Sequence, residues 1–528
     1  MRYFVVFLLL AASAAAQHNN HSPATNGPVS LIPGLGSWKH RIDTKNAEAQ
    51  KYFDQGLILI YSFNRPEAMR SFRKAAELDP QAPMVWWGIS LASAPYVNMD
   101  GDPTFNIKES CGALAKGLAL NPEPRESAYL QAAQARCPDY ADPTAYVQAS
   151  KALAERFPDD LDAQVLFAES IMIPARWRWY ASDGKPAEGM PEAERALEAV
   201  LRRDPTHPGA NHYYIHAVEA SPTPERAVAS AQRLMGIVPA AGHIVHMPGH
   251  IWLVLGDFNM TVAVNERAVE VDRKYFAGMS PESPYYVYYL HNLHFILYAR
   301  DMQGRVADAR KAERTMLETI APIRKSMPDL AGVFSAMVTF SQLRTGRWDE
   351  VLAGPKPSDG DVVALYARTL ALAMKGRSAE ARGARVEFDK ARAKVDRTSQ
   401  WGVNKMGDVM DLAATVLEAR TSAGAAAAVP FWRQAVAIQD RLAYDEPPGW
   451  YYPVRESLGA ALLLSGDAAE AETVFRDALR RSPHNGRVLF GLLESLKAQR
   501  KADAVESVQK EFDAAWKGAD LKLRLEHM

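Results

Sequence analysis

The fold is decided by the stretch GLILIYSFNRPEAMRSFRKAAELDP, residues 56–80, because its pattern returns near the other end of the chain as GAALLLSGDAAEAETVFRDALRRSP, residues 459–483. Five positions match, and each lies 403 residues before its counterpart. They are Gly56, Ala68, Phe72, Ala75 and Pro80 in the first copy and Gly459, Ala471, Phe475, Ala478 and Pro483 in the second. Small residues let two helices cross closely, an aromatic ring fills the gap between them, and proline ends the second helix. Each copy therefore predicts a helical hairpin.

This pattern resembles the tetratricopeptide repeat (TPR). Weaker copies are marked by a glycine and a polar residue in a turn, followed by an amphipathic helix, at Gly256, Gly304, Gly346, Gly376 and Gly466. Apolar residues recur at helical spacing throughout, whereas the alternation typical of strands is almost absent. We therefore expect an all-α fold, a TPR-type α-solenoid in which helical hairpins stack into a right-handed superhelix.

Five longer segments narrow the resemblance. They are YFDQGLILIYSFN from Tyr52, HPGANHYYIHAVEAS from His207, GHIVHMPGHI from Gly242, HNLHF from His291 and DEPPGWYYPVRESLGA from Asp445. These segments look like those of a group of bacterial TPR proteins without an assigned biochemical activity. The resemblance implies an architecture for nearly all of the mature chain, but it implies no reaction.

Composition and charge bound the possible partners. A chain of 528 residues exceeds the size of one hydrophobic core, so several domains or a repeat array are expected. Lys and Arg together number 61 against 62 Asp and Glu, so no overall positive field would attract nucleic acid. Hydrophobic residues make up 48%, which is ordinary for a soluble globular protein.

The amino terminus has the three regions of a secretory signal peptide. Arg2 precedes an apolar run that is too short to span a bilayer, and small residues follow up to Ala16. We expect a signal peptide at residues 1–16, a flexible segment at 17–39, and a periplasmic or secreted bacterial protein without a stable membrane span. The remaining chain divides into TPR-like helices at 40–205, a histidine-rich TPR core at 206–330, and further TPR-like helices at 331–528.

Cys111 and Cys137 are the two cysteines of the chain. They flank a predicted turn at residues 121–124 at similar distances, so an antiparallel helix pair would bring them together. In an oxidising compartment a disulfide and two buried free thiols are both open alternatives.

Histidines are concentrated in one part of the sequence. Of the 13 histidines, eight lie between residues 207 and 294. They are His207, His212, His216, His243, His246, His250, His291 and His294.

The spacing of these histidines follows the repeat. His212 and His216 form one His-x-x-x-His pair, and His246 and His250 form another pair 34 residues later, which is the TPR period. A third repeat contributes a His-x-x-His pair, His291 and His294. Such spacings place both rings of a pair on one helix face, on the first helix of each hairpin, which lines the concave surface of TPR proteins.

Six histidines in register favour a metal or ligand site over a set of structural core histidines, because buried imidazoles without partners cost stability. The predicted metal ligands are His212, His216, His246, His250, His291 and His294. Further candidate ligands are Glu219, His243 and Tyr298. Pro248 fits a helix's first turn, which would put His246 at a helix entrance and turn it away from His250. Copper or zinc is preferred and iron is possible; otherwise no cofactor is expected.

Motifs of the common enzyme classes are absent from the sequence, including His-Glu-x-x-His, Gly-x-Ser-x-Gly, the phosphate-binding glycine loop and the haem-attachment motif. Catalytic residues are therefore unknown. The favoured hypothesis is an exported TPR scaffold that binds a transition metal, or a metal-dependent protein or small-molecule ligand, on its concave face. The alternatives are a metal-dependent oxidoreductase or hydrolase that uses the same cluster, and a metal-free scaffold for protein interactions.

Overall fold

The structure is a computed structural model that describes residues 27–98, 105–277, 279 and 281–528. The predicted signal peptide, residues 1–16, lies outside these described residues, as does the start of the segment that follows it.

Helices form nearly all of the regular structure in the described ranges. The α-helices of the first half are α1 Ala47–Tyr61, α2 Arg65–Leu78, α3 Pro83–Ala92, α4 Ile107–Ala119, α5 Pro124–Gln134, α6 Pro143–Arg156, α7 Leu161–Met172, α8 Met190–Arg203, α9 Pro208–Glu219, α10 Val228–Ile237, α11 Gly242–His246, α12 Pro248–Val254 and α13 Phe258–Tyr275. Those of the second half are α14 Tyr286–Met302, α15 Val306–Ile320, α16 Pro328–Arg344, α17 Trp348–Ala353, α18 Val362–Met374, α19 Ser378–Arg392, α20 Met406–Thr421, α21 Ala425–Gln439, α22 Arg455–Leu464, α23 Ala468–Arg481, α24 Gly486–Ala498 and α25 Ala502–Ala515. None of the helices described is both long and apolar enough to cross a membrane.

Short elements complete the fold. Single turns of 3-10 helix occur at Pro224–Ala227, Ala321–Ile323 and Leu525–His527. Two short antiparallel strands, β1 Gln400–Trp401 and β2 Asn404–Lys405, form a ribbon that the sequence does not predict. Gly402, with a φ of 61°, lies in the turn between the two strands.

Consecutive helices pack against each other along the chain, including α1 on α2, α3 on α4, α20 on α21 and α22 on α23. The start of α2 is capped by the Asn64 side chain, which accepts a hydrogen bond from the Glu67 backbone N–H. At the equivalent place in the later copy, Asp467 caps α23 by accepting from the Glu470 N–H. The prediction of an all-α, TPR-type α-solenoid built from helical hairpins is confirmed.

The aromatic residue of the repeat sits where the sequence predicts it. A Cβ atom added to Gly56 would lie 2.6 Å from the Phe72 ring, and one added to Gly88 would lie 2.3 Å from it. Phe72 therefore fills the space between the helix before it and the helix after it. Phe475 has the same relation to Gly459 and Gly491, with distances of 2.6 and 2.2 Å.

The five predicted glycine turns all have a left-handed backbone. Their φ angles are 76° at Gly256, 65° at Gly304, 71° at Gly346, 70° at Gly376 and 96° at Gly466. A side chain is strained in this region, so glycine is required for the tight connection between paired helices.

The chain forms two compact units. Of the described residues, the amino-terminal unit contains Gly27–Ile251 together with Val264–Asn292. The carboxy-terminal unit contains Trp252–Ala263 and Leu293–Met528. The division between the units thus falls inside the histidine-rich region predicted at residues 206–330.

The described part of the predicted flexible segment, residues 27–39, lacks helix but is packed, which differs from the expectation. Leu35 is buried, and the Ile32 N–H donates to Gln55 Oε1 at 2.8 Å. The Ala240 N–H donates to the Gly34 carbonyl at 3.0 Å. These contacts hold the segment on the helices of the amino-terminal unit.

Of the two alternatives for the cysteines, the structure has the disulfide. Cys111 on α4 and Cys137 after α5 are bonded, with a Cα–Cα distance of 5.8 Å. The antiparallel pair formed by α4 and α5 brings them together around the predicted turn.

Candidate metal centre

Six buried histidines of the amino-terminal unit come from four helices. Helix α9 carries His212 and His216, α11 carries His243 and His246, and α12 carries His250. The sixth, His291, is on α14 and is 8% exposed, and the other five are at most 2% exposed. The candidate centre is therefore enclosed, and it is not the open concave groove that the sequence predicts.

The chain breaks its helix between His246 and His250. Helix α11 ends at His246, and Pro248 begins α12, as its fixed φ and missing N–H favour. His246 is thus the last residue of one helix and does not stand at the entrance of the next. Its ring is not turned away, because its Nε2 lies 2.7 Å from Nε2 of His250.

The rings form two sets of three. The first histidine group is His212, His216 and His243, and the second histidine group is His246, His250 and His291. Within each group one ligand atom per residue lies within 4.8 Å of the others. In the first group, Nε2 of His212 and Nε2 of His243 are 3.1 Å apart.

Outer hydrogen bonds fix which ring nitrogen carries hydrogen. Nδ1 of His212 donates to the Tyr61 carbonyl at 2.6 Å. Glu219 accepts from two rings, from His216 Nδ1 at 2.8 Å and from His250 Nδ1 at 2.5 Å. A carbonyl and an ionised carboxylate can only accept, so each of these rings has its hydrogen on Nδ1. Their Nε2 atoms carry lone pairs, the arrangement typical of histidine ligands held by outer partners.

The His246 ring is held in the same way by Asn265, whose Oδ1 lies 2.6 Å from Nδ1. With their Nδ1 hydrogens directed outward, His246 and His250 place two Nε2 lone pairs against each other at 2.7 Å. Two lone pairs repel at this distance unless a cation, either a proton or a metal ion, lies between them.

Protonation of the rings is disfavoured. Burial lowers the pKa of His212, His243 and His246 well below the usual range, and the neighbouring histidines lower it further. Burial also lowers the pKa of His216, although Glu219 opposes this effect. Burial by itself would raise the pKa of Glu219, but His250 and His216 hold it at about 2. At neutral pH Glu219 is therefore a carboxylate, and His212, His243 and His246 are neutral imidazoles.

Aromatic side chains surround the rings. The Phe63 ring centroid lies 4.4 Å from that of His212 and 4.9 Å from that of His243. Tyr288 packs on His243 at 4.6 Å, and Trp179 lies 5.9 Å from His216. This apolar frame keeps water from the Nε2 atoms, which strengthens electrostatic interactions between the rings and any bound cation.

The structure brings together five of the six predicted ligands and also His243, and it places Glu219 as an outer hydrogen-bond acceptor. His294 belongs to neither histidine group. Although His291 and His294 share α14, three residues along a helix change direction by ~60° and position by ~4.5 Å. The structure therefore does not place both rings of this pair in one histidine group.

Both His294 and the candidate ligand Tyr298 belong to the carboxy-terminal unit. There His294 packs edge-on against Phe334, at 6.2 Å between ring centroids, and burial lowers its pKa to about 3. Tyr298 lies in an apolar cluster with Phe295 and Met302. Both are thus core residues of their own unit.

Outside the histidine cluster, a further group of residues at ligand distance is His40, Asp160 and Asp162. Asp162 accepts from His40 Nδ1 at 2.7 Å and from the Tyr61 hydroxyl at 2.5 Å. Arg125 binds Asp160 through Nε at 2.7 Å and places another nitrogen 3.1 Å from His40 Nε2. Because this guanidinium already supplies the positive charge, the group is an ion-pair network and a poor metal site.

Sequence reasoning missed the outer partners of the rings. The Tyr61 carbonyl belongs to the backbone, and no side-chain pattern marks it. Asn265 follows His246 by 19 residues on α13, a distance set by how two helices pack and not by periodicity within one helix.

Comparisons with known proteins do not assign the chain to a family. No family model matches it, and no curated protein is significantly similar to it in sequence. Among solved structures it is similar to the human IFIT1 dimer with m7Gppp-AAAA, at a TM-score of 0.37 and 12% identity over 91% of this chain and 92% of that one. Yeast Tom70 gives a TM-score of 0.35 at 12% identity over 88% and 97%. The APC/C hetero-tetramer Cut9-Hcn1 gives 0.33 at 11% identity over 88% and 87%. Such distant likenesses say nothing about what this chain binds.

Proposed function

We propose that the protein is a metal-binding scaffold whose amino-terminal unit holds a transition metal ion through the second histidine group. One observation carries this proposal, the 2.7 Å separation between Nε2 of His246 and Nε2 of His250. Both rings direct Nδ1 to acceptors, so their Nε2 lone pairs face each other. A metal ion between the rings would bind both lone pairs.

The ligand geometry suits a first-row metal. Metal–imidazole bonds of ~2.0–2.1 Å put two tetrahedral ligand nitrogens ~3.3 Å apart, so the pair would open by ~0.6 Å on binding. His291 supplies the third nitrogen, with its ring centroid 4.9 Å from that of His246. A set of imidazoles without thiolate suits copper or zinc, and iron remains in the candidate set.

A metal-dependent enzyme is the second candidate, and the number of protein ligands favours it. Three histidines leave a coordination position open on a four-coordinate metal, as in catalytic sites. A coloured or redox-active metal-loaded protein would support this candidate. The metal-free scaffold leaves the opposed lone pairs without an explanation.

Metal analysis of the protein purified without an affinity tag tests the proposal. The wild type should bind zinc or copper at micromolar concentration, and His250→Ala should abolish binding at the second histidine group while retaining the helical circular dichroism signal. His294→Ala is a matched control, because this buried histidine lies outside both groups. A wild type that binds neither metal, or unchanged binding by His250→Ala, would refute the proposed site.

We also propose export to the periplasm or beyond. The support is the sequence of residues 1–16, with its charged start, apolar run and small residues. Expressed in a bacterium with its own leader, the mature protein should begin at Gln17, as measured by intact mass. A cytoplasmic product that keeps residues 1–16 would contradict this.

A further inference from the structure

We infer that the first histidine group binds a second metal ion, so that the amino-terminal unit carries a dinuclear copper centre. This inference rests on the proposed function, because it takes the second histidine group as the site of the other ion.

The first observation is a buried nitrogen without a hydrogen bond. Nε2 of His216 has no hydrogen-bond partner among the described residues, and the side chain is 1% exposed. Glu219 holds the hydrogen of this ring on Nδ1, so Nε2 is a bare acceptor aimed into the cluster. An acceptor left unpaired in the interior destabilises the fold, and a metal–nitrogen bond would remove this penalty.

A second unpaired atom lies in the same group. Nδ1 of His243 also lacks a hydrogen-bond partner in the described part of the chain, while its Nε2 lies 3.1 Å from His212 Nε2. Since His212 already donates through Nδ1, its Nε2 can only accept. Each of the three rings offers one ligand atom within 4.8 Å of the others, and a single cation bound to them would replace the contact between His212 and His243.

The repeat makes the two groups equivalent. His212 and His246 are 34 residues apart, as are His216 and His250. The first member of each pair directs Nδ1 to an oxygen of a neighbouring segment, and the second directs Nδ1 to Glu219. If one pair is arranged to bind a metal, the same local chemistry is present at the other.

The groups are adjacent. Ring centroids of His216 and His250 are 5.3 Å apart, and those of His243 and His246 are 5.7 Å apart. Two ions in such neighbouring groups would approach the ~3.5–4 Å separation of two-metal sites. Glu219 connects the two groups, because one of its oxygens orients His216 of the first group and the other orients His250 of the second.

Charge favours copper in its univalent state. An imidazole that binds a metal is neutral, and Glu219 is a carboxylate that accepts hydrogen bonds from His216 and His250. Two univalent ions would leave one uncompensated positive charge in the enclosed site, whereas two divalent ions would leave three. Because uncompensated buried charge is costly, Cu(I) fits this centre better than zinc.

Anaerobic titration with Cu(I) against a chromophoric competitor measures the number of ions per chain. The wild type should bind two, and His216→Ala and His291→Ala should each bind one. A wild type that binds one ion, with His216→Ala unchanged, would overturn the dinuclear centre and leave the proposed function standing. A wild type that binds none would overturn both, and tight binding of two zinc ions without copper would overturn the metal assignment.

A second measurement does not depend on the folding of any variant. After oxidation of the copper-loaded wild type, two adjacent Cu(II) ions couple magnetically. The electron paramagnetic resonance signal should then account for much less copper than chemical analysis finds in the same sample. A signal that accounts for all of the copper in two-copper protein would show that the ions are isolated and would overturn the inference.

Discussion

Glu219 connects the two histidine groups through a single side chain. Its two oxygens accept from His216 and His250, so both rings have their hydrogen on Nδ1 and their lone pair on Nε2. This acceptor function requires a carboxylate, because an amide has one oxygen and one N–H donor group.

Glu219→Gln should therefore weaken metal binding. The amide nitrogen would face Nδ1 of one ring and force the hydrogen of that ring onto Nε2, where it blocks coordination. We expect ~10–100-fold lower affinity, measured by calorimetric titration with copper or zinc. Glu192→Gln is the control, since its carboxylate pairs with Lys151 at the surface. Equal affinities of wild type and Glu219→Gln would show that the carboxylate does not position ligands.

The buried carboxyl group of Asp272 should make the free energy of unfolding depend on pH. It accepts a hydrogen bond from Asn292 at 2.7 Å, and burial raises its pKa to about 8. The native state thus binds more protons than the unfolded chain between about pH 4 and pH 8. The stability contributed by this group is fully present below about pH 4 and is lost as pH rises through its native pKa.

Replacement by asparagine should remove this dependence. The free energy of unfolding of Asp272→Asn minus that of the wild type should grow by up to ~1.4 kcal/mol per pH unit towards pH 8 and then level off. Urea unfolding across that range measures it. Asp159→Asn, which changes an exposed carboxylate, is the matched control. A flat difference for Asp272→Asn would mean that Asp272 is ionised in the native state.

At the level of single residues, the sequence predicted the histidines that recur at the repeat spacing. It did not predict the residues that only the packing of helices brings together. The 34-residue spacing identified His212, His216, His246 and His250 without a structure. His243 was only a further candidate, because it belongs to none of the three predicted histidine pairs. Its place in the first histidine group depends on α11, a helix of five residues that no periodicity could indicate.

At the scale of elements, the hairpins depend on how closely helices approach around one aromatic ring. Gly88→Ala should destabilise the amino-terminal unit by ~1–3 kcal/mol, because the new Cβ would lie 2.3 Å from Phe72. Gly112→Ala, on α4 with open space around the added atom, should instead stabilise by ~0.5–1 kcal/mol. Urea unfolding midpoints measure both. If the two variants shift the midpoint alike, Phe72 does not limit the approach of the helices.

Helix boundaries were predictable where glycine and proline set them. The turns at Gly304 and Gly346 follow from a backbone conformation that glycine adopts without strain. The break between α11 and α12 was only partly predictable from the sequence. Pro248 indicated the start of α12, but no residue pattern indicated α11 before it. That short helix is stabilised by contacts with other segments, which local sequence does not encode.

For the molecule as a whole, the disulfide contributes measurably to the free energy of unfolding. The bond joins residues 26 apart in sequence. By reducing the entropy of the unfolded chain it should stabilise the native state by ~3.5 kcal/mol. The double variant Cys111→Ser/Cys137→Ser should unfold at lower denaturant concentration by a corresponding amount. Reductant should lower the wild type to the same level and leave the variant unchanged. Equal stability of both proteins would show that the crosslink does not stabilise the native state.

The all-helical repeat fold was predictable from the sequence, whereas the division into compact units was not. A sequence repeat indicates which helices pack together, because the paired helices follow each other in the chain. The division falls at Ile251, Ala263 and Asn292, within helices α12, α13 and α14, where the sequence has no linker. The boundaries follow from how densely the residues of each unit contact one another, and the amino-acid composition of the chain does not mark them.

The enclosure of the rings has a consequence for how the protein acquires its metal. With His212 and His246 fully buried, an ion reaches the proposed ligands only when the amino-terminal unit opens locally. Loading and release would both pass through this opening, so exchange of the bound ion would be slower than at an exposed site. Growth conditions and cellular compartment would then influence which metal occupies the site, together with intrinsic affinity.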